Sequence, residues 1–307
     1  MARSRKVNDR HGIIIAGGGF SGGVLALALA ECAPAGFRVA LVDATPQRGV
    51  GQRDARGLAL SAASRCLLEA IGLWSALAPD AQAIDAIEIT DSPLNARLRP
   101  HFLGFDDEMK ADAPRAYLVE AGRLLKTISE AVASDSSIDV FAPDSVATYE
   151  TDAFSVQARL ESGMTLYEPL LVAADGKRSS IRDRAGIKCI GWSYPQRGIV
   201  ATVAHERAHH GQAVQHFLPA GPFAILPLKG NRSSIVWTED KAKAETLMEG
   251  SDDAFIAELT RRFGHRLGRI TLEGPKQSFP LDFQMARAFV GDRLALIGDA
   301  AHVVHPL

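Results

Sequence analysis

The chain has 307 residues, 47% hydrophobic and 23% charged, the balance of an ordinary globular protein with material for one large or two medium domains. Its 34 Lys and Arg stand against 36 Asp and Glu, a net charge of -2, which leaves no basic footprint for nucleic acid or an anionic membrane surface. Cys32, Cys66 and Cys189 are scattered, with no C-x-x-C pair, so they are read as core or surface residues without chemistry and fit a reducing cytoplasm.

The first element in the chain is "IIIAGGGFSGGVLALALA", Ile13 to Ala30, which carries no charge and follows a leader with Arg3, Arg5, Lys6 and Arg10. A secretory signal or a membrane span of about 20 apolar residues would have this outline. Gly17, Gly18, Gly19, Gly22 and Gly23 argue against both, because each glycine costs a helix interior roughly 1 kcal/mol relative to alanine. The spacing predicts a buried strand at Ile13–Ala16, a turn over Gly17–Gly22 and an apolar helix over Gly23–Ala30.

That turn spells G-x-G-x-x-G, with Phe20 and Ser21 between its last two glycines. Gly17 permits the tight turn, Gly19 the approach of a pyrophosphate to the backbone, and Gly22 close packing of helix on strand. The phosphates are expected on the free N–H groups of the helix N-terminus. The next β-rich run, "FRVALVDA", ends at Asp43, about 20 residues beyond the last glycine, where an acid accepts from ribose hydroxyls. It would also repel a 2′-phosphate, so NADP is not expected in this loop.

Further along come a loop with Arg53 and Arg56 and an amphipathic helix over Ser61–Ile71 stopped at Gly72. "AIDAIEITDSP" and "ARLRPHFLGF" resemble strands, and "YLVEAGRLLKTISEAVAS" reads as a strand entering a helix. Short β-rich runs from Ile138 return to a buried strand, "LLVAADG", and four more β runs occupy Gly198–Thr238. "SDDAFIAELTRRFGHRLG" is a helix capped by Ser251 or Asp252, and "RLALIGDAA" is a last buried strand. The pattern predicts an α/β fold: a Rossmann-like nucleotide-binding core with an inserted antiparallel β-sheet domain.

Three glycine–acid elements then stand in order: the G-x-G-x-x-G with Asp43, "ADGKRSSIR" at Ala174–Arg182, and "LIGDAAHVVHP" at Leu296–Pro306. Each closes a predicted buried strand, where a doubly wound sheet binds its ligand. With "RGLALSAASRCLLEAIGLW", "HHGQAVQHFLPAGPFAILPL" and "SIVWTE", they make the chain resemble the flavin-dependent aromatic hydroxylases related to para-hydroxybenzoate hydroxylase, most closely the ubiquinone-biosynthesis branch acting on polyprenyl phenols.

The resemblance implies an FAD/NAD(P)-binding core formed by residues 1–82, 113–188 and 281–307, and a substrate domain formed by 83–112 and 189–280. It places Gly17, Gly19, Phe20, Ser21 and Gly22 on the FAD pyrophosphate and Asp43 on the adenosine ribose. Arg56 is expected near the flavin and its diphosphate, with a surface arginine as the alternative. Asp175, Gly176, Ser179 and Arg182 form the second motif, linked to both FAD and NAD(P)H. Gly298 and Asp299 form the third, with Asp299 on the ribitol or ribose chain and His302 and Pro306 where the loop turns toward the isoalloxazine. Gly122 departs from relatives that carry an arginine or similar polar residue. Phe223, Ile225 and Leu226 are candidates to face a hydrophobic phenol, against the reading by periodicity alone, which makes them core.

The implied reaction reduces the flavin with NAD(P)H and transfers oxygen from O2 to a phenol ring through a flavin hydroperoxide, so no catalytic side chain is assigned. A polyprenyl substrate implies a cytoplasmic protein peripheral to the inner membrane, with a ubiquinone-biosynthesis protein complex as a partner. The sequence stops before the family's G-Q-G-x-N loop and C-terminal helices, which implies impaired FAD binding by this chain. Two other classes stand beside this reading: a non-catalytic scaffold of the same fold, and a zinc metalloprotease through His205, Glu206 and His209. The H-E-x-x-H pattern needs a helix, whereas "GIVATVA" before it is β-like, so an exposed turn and no metal are expected there.

Overall fold

The computed structural model describes residues 11–45, 54, 56–91, 93–94, 101–106, 114 and 116–305. These fall into two compact units. The first takes in described residues of Met1–Gln52, Leu125–Trp192 and Asp282–His305, the second those of Arg53–Leu124 and Ser193–Leu281.

The first unit is built on a sheet ordered Val290–Gly291, Leu294–Leu296, Leu171–Ala173, Ile13–Ala16, Val39–Val42 and Ile138–Phe141. All neighbours pair in parallel except the edge strand Val290–Gly291. Ile13–Ala16 and Val39–Val42 are buried at every residue, as continuous apolar runs must be when both faces of a parallel sheet are covered. On one face a three-stranded antiparallel sheet, Val146–Thr151, Val156–Leu160 and Thr165–Glu168, packs Val156, Ala158 and Leu160 against Ile14, Ala40 and Val42. The helix Phe20–Cys32 lies close to the helix Ala121–Ser134: a Cβ on Gly23 would come 2.4 Å from Ile128 Cγ2.

His11 clamps the start of this sheet. Its Nε2 lies 2.8 Å from Asp139 Oδ2 and its Nδ1 3.1 Å from Glu168 Oε1, while Arg38 Nη2 donates to the same Asp139 oxygen at 2.6 Å. Burial opposes a charge on His11, but the hydrogen bonds and charges of Glu168 and Asp139 outweigh it and raise its pKa above 6.5.

In the second unit neighbouring strands run in the order 270–281 of the strand Ile270–Ala286, 193–205 of the strand Cys189–His205, Arg232–Asp240, Gly221–Leu228, Gln212–Leu218, Ala86–Asp91 and His101–Asp106. Helices Lys241–Glu249 and Asp252–Phe263 cover one face, where Ile199, Phe223, Ile235, Trp237, Phe255 and Leu259 form the core. Ser251 is the N-cap of the second helix, its hydroxyl accepting from Ala254 N at 3.3 Å.

A small sheet of Gly57–Ser61, Ala116–Glu120 and Gln82–Ile84 packs Leu118 and Ile84 with Ala213 and Leu228. This contact carries residues of 53–82 and 113–124 into the second unit, whereas the family resemblance implied the FAD-binding side for them. The first helix also starts earlier than its sequence predicts. It begins at Phe20 with Gly19 as N-cap, so Gly22 and Gly23 sit inside it, their propensity cost overridden by close packing.

Candidate functional site

The first unit holds a cavity of about 540 Å³ at the C-terminal ends of its parallel strands, within the size range of cofactor sites. Its lining brings together Gly17, Gly19, Phe20 and Ser21 of the first motif, Asp43, Asp175 and Gly176 of the second, and Asp299 of the third. Gly17 has φ +109°, and a Cβ there would sit 2.2 Å from Ala174 O, so only glycine lets the first loop meet the second. Gly298, at φ +57°, likewise brings the third loop against Ser21, whose Oγ would be 2.5 Å from a Cβ. Gly22 sits behind the lining: a Cβ would come 1.9 Å from Gly17 O, which makes it a packing glycine.

Several features suit a dinucleotide. The position of a Gly19 Cβ has nothing within 4 Å, and the helix Phe20–Cys32 has no side-chain cap on its first N–H groups. Those donors and the exposed Arg178, a cation among the described lining residues, suit a pyrophosphate. Asp43, Asp175 and Asp299 suit hydroxyls of ribose and ribitol, which donate to carboxylates. Asp43 is held at its strand end, with Oδ2 accepting from Gly18 N at 2.7 Å and Oδ1 from Thr45 N and Oγ1 at 2.7 and 2.6 Å. The buried Oδ1 of Asp175 has no hydrogen-bond partner among the described residues, an acceptor left for a ligand hydroxyl.

Other expected residues lie elsewhere. Ser179 and Arg182 are buried and outside the lining. Ser179 Oγ accepts from Arg182 N at 3.0 Å, and Arg182 Nη1 donates to Lys177 O and Ala300 O, each at 3.1 Å, so Arg182 is a strut between the second and third loops. Its neighbours Arg178 and Ser180 line the cavity instead, with Asp144, Ser145 and Val146 from the far strand end. Nothing in the sequence marked the latter three; Arg178 stood unread inside "ADGKRSSIR".

His302 is exposed, outside the lining, with its ring 6.0 Å from that of Phe289. Pro306, like Arg53, lies outside the described residues. Arg56 belongs to the second unit, where it forms a two-pronged pair with Asp54, Nε to Oδ1 at 2.9 Å and Nη2 to Oδ2 at 2.6 Å.

Two readings of the second unit need correction. Phe223 and Ile225, raised as phenol-facing, are core residues on the helix side of the sheet at 0% and 4% exposure. Strand alternation turns only Leu226 to the other face, where it packs beside Leu118. The H-E-x-x-H motif follows a strand as expected, yet His205 and His209 are buried rather than exposed. His205 Nδ1 donates to Arg207 O at 2.7 Å and Nε2 accepts from Ser233 Oγ at 3.1 Å. His209 Nε2 donates to Leu228 O at 2.7 Å, and its Nδ1 accepts from Gly211 N at 3.0 Å. The lone pairs a metal would need already accept hydrogen bonds, and burial lowers the His205 pKa.

A glycine-rich strand–turn–helix and two further loops around one cavity define a dinucleotide-binding α/β protein. The sequence matches the FAD binding domain family over residues 10–307. It is 41% identical to the ubiquinone hydroxylase UbiL of Rhodospirillum rubrum over 297 residues, covering 96% of this chain and 67% of that protein. Identity to the 3-demethoxyubiquinol 3-hydroxylase of Escherichia coli is 33% over 304 residues, 96% of this chain and 74% of that one. The fold matches that of PqsL, a probable FAD-dependent monooxygenase from Pseudomonas aeruginosa, with a TM-score of 0.79 at 20% identity over 97% of this chain and 80% of that one. The chain belongs to the FAD binding domain family and, within it, to the FAD-dependent aromatic hydroxylases of the ubiquinone-biosynthesis branch.

Proposed function

We propose that the chain hydroxylates the aromatic ring of a polyprenyl phenol in ubiquinone biosynthesis, with NAD(P)H as reductant and O2 as oxidant. The observation that carries this is the convergence of three glycine–acid loops on one cavity of about 540 Å³. The names of the relatives support the substrate class. The N–H groups of Gly19, Phe20 and Ser21, with Arg178, hold the pyrophosphate, and Asp43 takes the adenosine ribose. Asp175 and Asp299 accept from hydroxyls on the flavin side. FAD bound there supplies the oxygen-transfer chemistry. The protein positions the cofactor and excludes water from it.

No helix among the described residues is long and apolar enough to cross a membrane. A polyprenyl substrate has to be collected from a bilayer or a carrier protein, so peripheral membrane contact or membership of a ubiquinone-biosynthesis complex completes the proposal. The test is product analysis: protein loaded with FAD, given NADH or NADPH and a farnesylphenol, is expected to yield a ring-hydroxylated product and visible flavin bands. Flavin-loaded protein that oxidises neither nicotinamide nor any phenol would refute the reaction.

A further inference from the structure

The main sheet of the second unit buries one face under helices, and its other face carries an exception to the apolar pattern. Along Gln212–Leu218, Val214 and Leu218 pack on the helix side with Phe223 and Trp237, so alternation turns Ala213, Gln215 and Phe217 to the opposite face. The pairings Gln215↔Ala224, Ala224↔Val236 and Val236↔Val200 extend from Gln215 in one direction. In the other direction run Gln215↔Ile89 and Ile89↔Leu103. Leu103, Ile89, Gln215, Ala224, Val236 and Val200 thus form one row across the sheet, with neighbours about 5 Å apart.

Five of these six side chains are hydrocarbon. The sixth ends in an amide whose Nε2 is buried without a hydrogen-bond partner among the described residues. On the same face Leu103, Phe217 and Ile87 are large apolar groups exposed at 44%, 45% and 37%. A buried donor without a partner destabilises a fold, and leucine would fill this place without that cost.

We infer that Gln215 reads the oxygen of an aromatic ligand on this face, its Nε2–H donating to the ring oxygen while the apolar row takes the hydrocarbon. The inference rests on the proposed phenol hydroxylation and adds the residue that selects and orients the ring. A site built to pair a ligand oxygen discriminates against an analogue lacking it, because the amide then stays unpaired.

The test compares binding of 2-farnesylphenol and farnesylbenzene to the full chain supplied with FAD, for wild type, Gln215→Leu and Gln215→Met. Wild type is expected to prefer the phenol by about tenfold, the equivalent of one net hydrogen bond. Leucine removes the amide and methionine keeps nearly its length without the N–H donor, so both lose the preference. Gln215→Leu also raises the Tm of the ligand-free protein, a change of sign that a merely structural glutamine would not give. A wild type without preference, or a variant that keeps it, overturns the inference. Product formation by wild type judges the reaction separately: no product with the preference intact refutes the hydroxylation alone, and product with unchanged preference in the variants refutes Gln215 alone.

Discussion

Two arginines four positions apart in one motif show how burial divides roles that the residue type leaves open. Arg182 spends its guanidinium on two backbone carbonyls, Lys177 O and Ala300 O, and on Asp183, whereas Arg178 is exposed at the cavity wall. Arg182→Ala strands Ala300 O, at about 1–3 kcal/mol for a buried orphan, while Lys177 O keeps the bond from Gln284 Nε2 at 3.0 Å. It is expected to destabilise the protein by about 1–3 kcal/mol in urea unfolding. Arg178→Ala is expected to leave the urea midpoint in place and weaken FAD binding by roughly tenfold, the scale of one charge-assisted hydrogen bond. Titration of both variants with FAD checks the pair, and an Arg182 variant of unchanged stability would remove the strut. Asp43 has a similar double duty, since the carboxylate proposed for the ribose already fixes Gly18 and Thr45.

At the scale of the element, the strand–turn–helix at Ile13–Cys32 was the most legible part of the chain, because glycine spacing and a following acid encode backbone approach distances directly. Its helix boundary was less so. Gly22 reads as the end of the turn and Gly23 as the start of the helix, whereas the helix begins at Phe20 and both lie inside it, as glycines because a Cβ would strike Gly17 O at 1.9 Å or Ile128 Cγ2 at 2.4 Å. Gly22→Ala is therefore expected to lower stability by about 1–3 kcal/mol, the range for overpacking, and to impair FAD uptake, read by flavin absorbance after reconstitution. The Ser251 cap and the helix after it were legible in the same way, as was the strand ahead of H-E-x-x-H. Asp144, Ser145 and Val146 were not, since their place in the cavity follows from the parallel pairing of Val39–Val42 with Ile138–Phe141, a contact between segments about a hundred residues apart. Phe223 and Ile225 are core, the reading that periodicity alone favours; what the sequence does not give is which elements cover that face.

For the folded molecule as a whole, the His11 clamp makes stability depend on pH in a direction that can be fixed. The His11 pKa is raised above 6.5: burial opposes the charge, and the hydrogen bonds and charges of Glu168 and Asp139 more than offset it. A group of raised pKa contributes fully below its unfolded value and loses that contribution as pH climbs through the folded one. The Asp139 pKa lies below 3.8: burial pushes it up, but Arg38 and His11 pull it down further, so its contribution fades only as pH falls through that lowered value. The clamp is therefore strongest between about pH 4 and pH 6.5. His11→Gln is expected to cost about 1 kcal/mol near pH 5.5, the scale of a partly exposed ion pair with hydrogen bonds. The stability gap between this variant and wild type should narrow as pH rises from 6.5 to 9. Urea unfolding of both proteins across that range measures the gap at each pH. A gap that stays constant or widens above pH 6.5 would mean that His11 is uncharged in the folded protein and donates to only one of Asp139 and Glu168, which would remove the charged clamp.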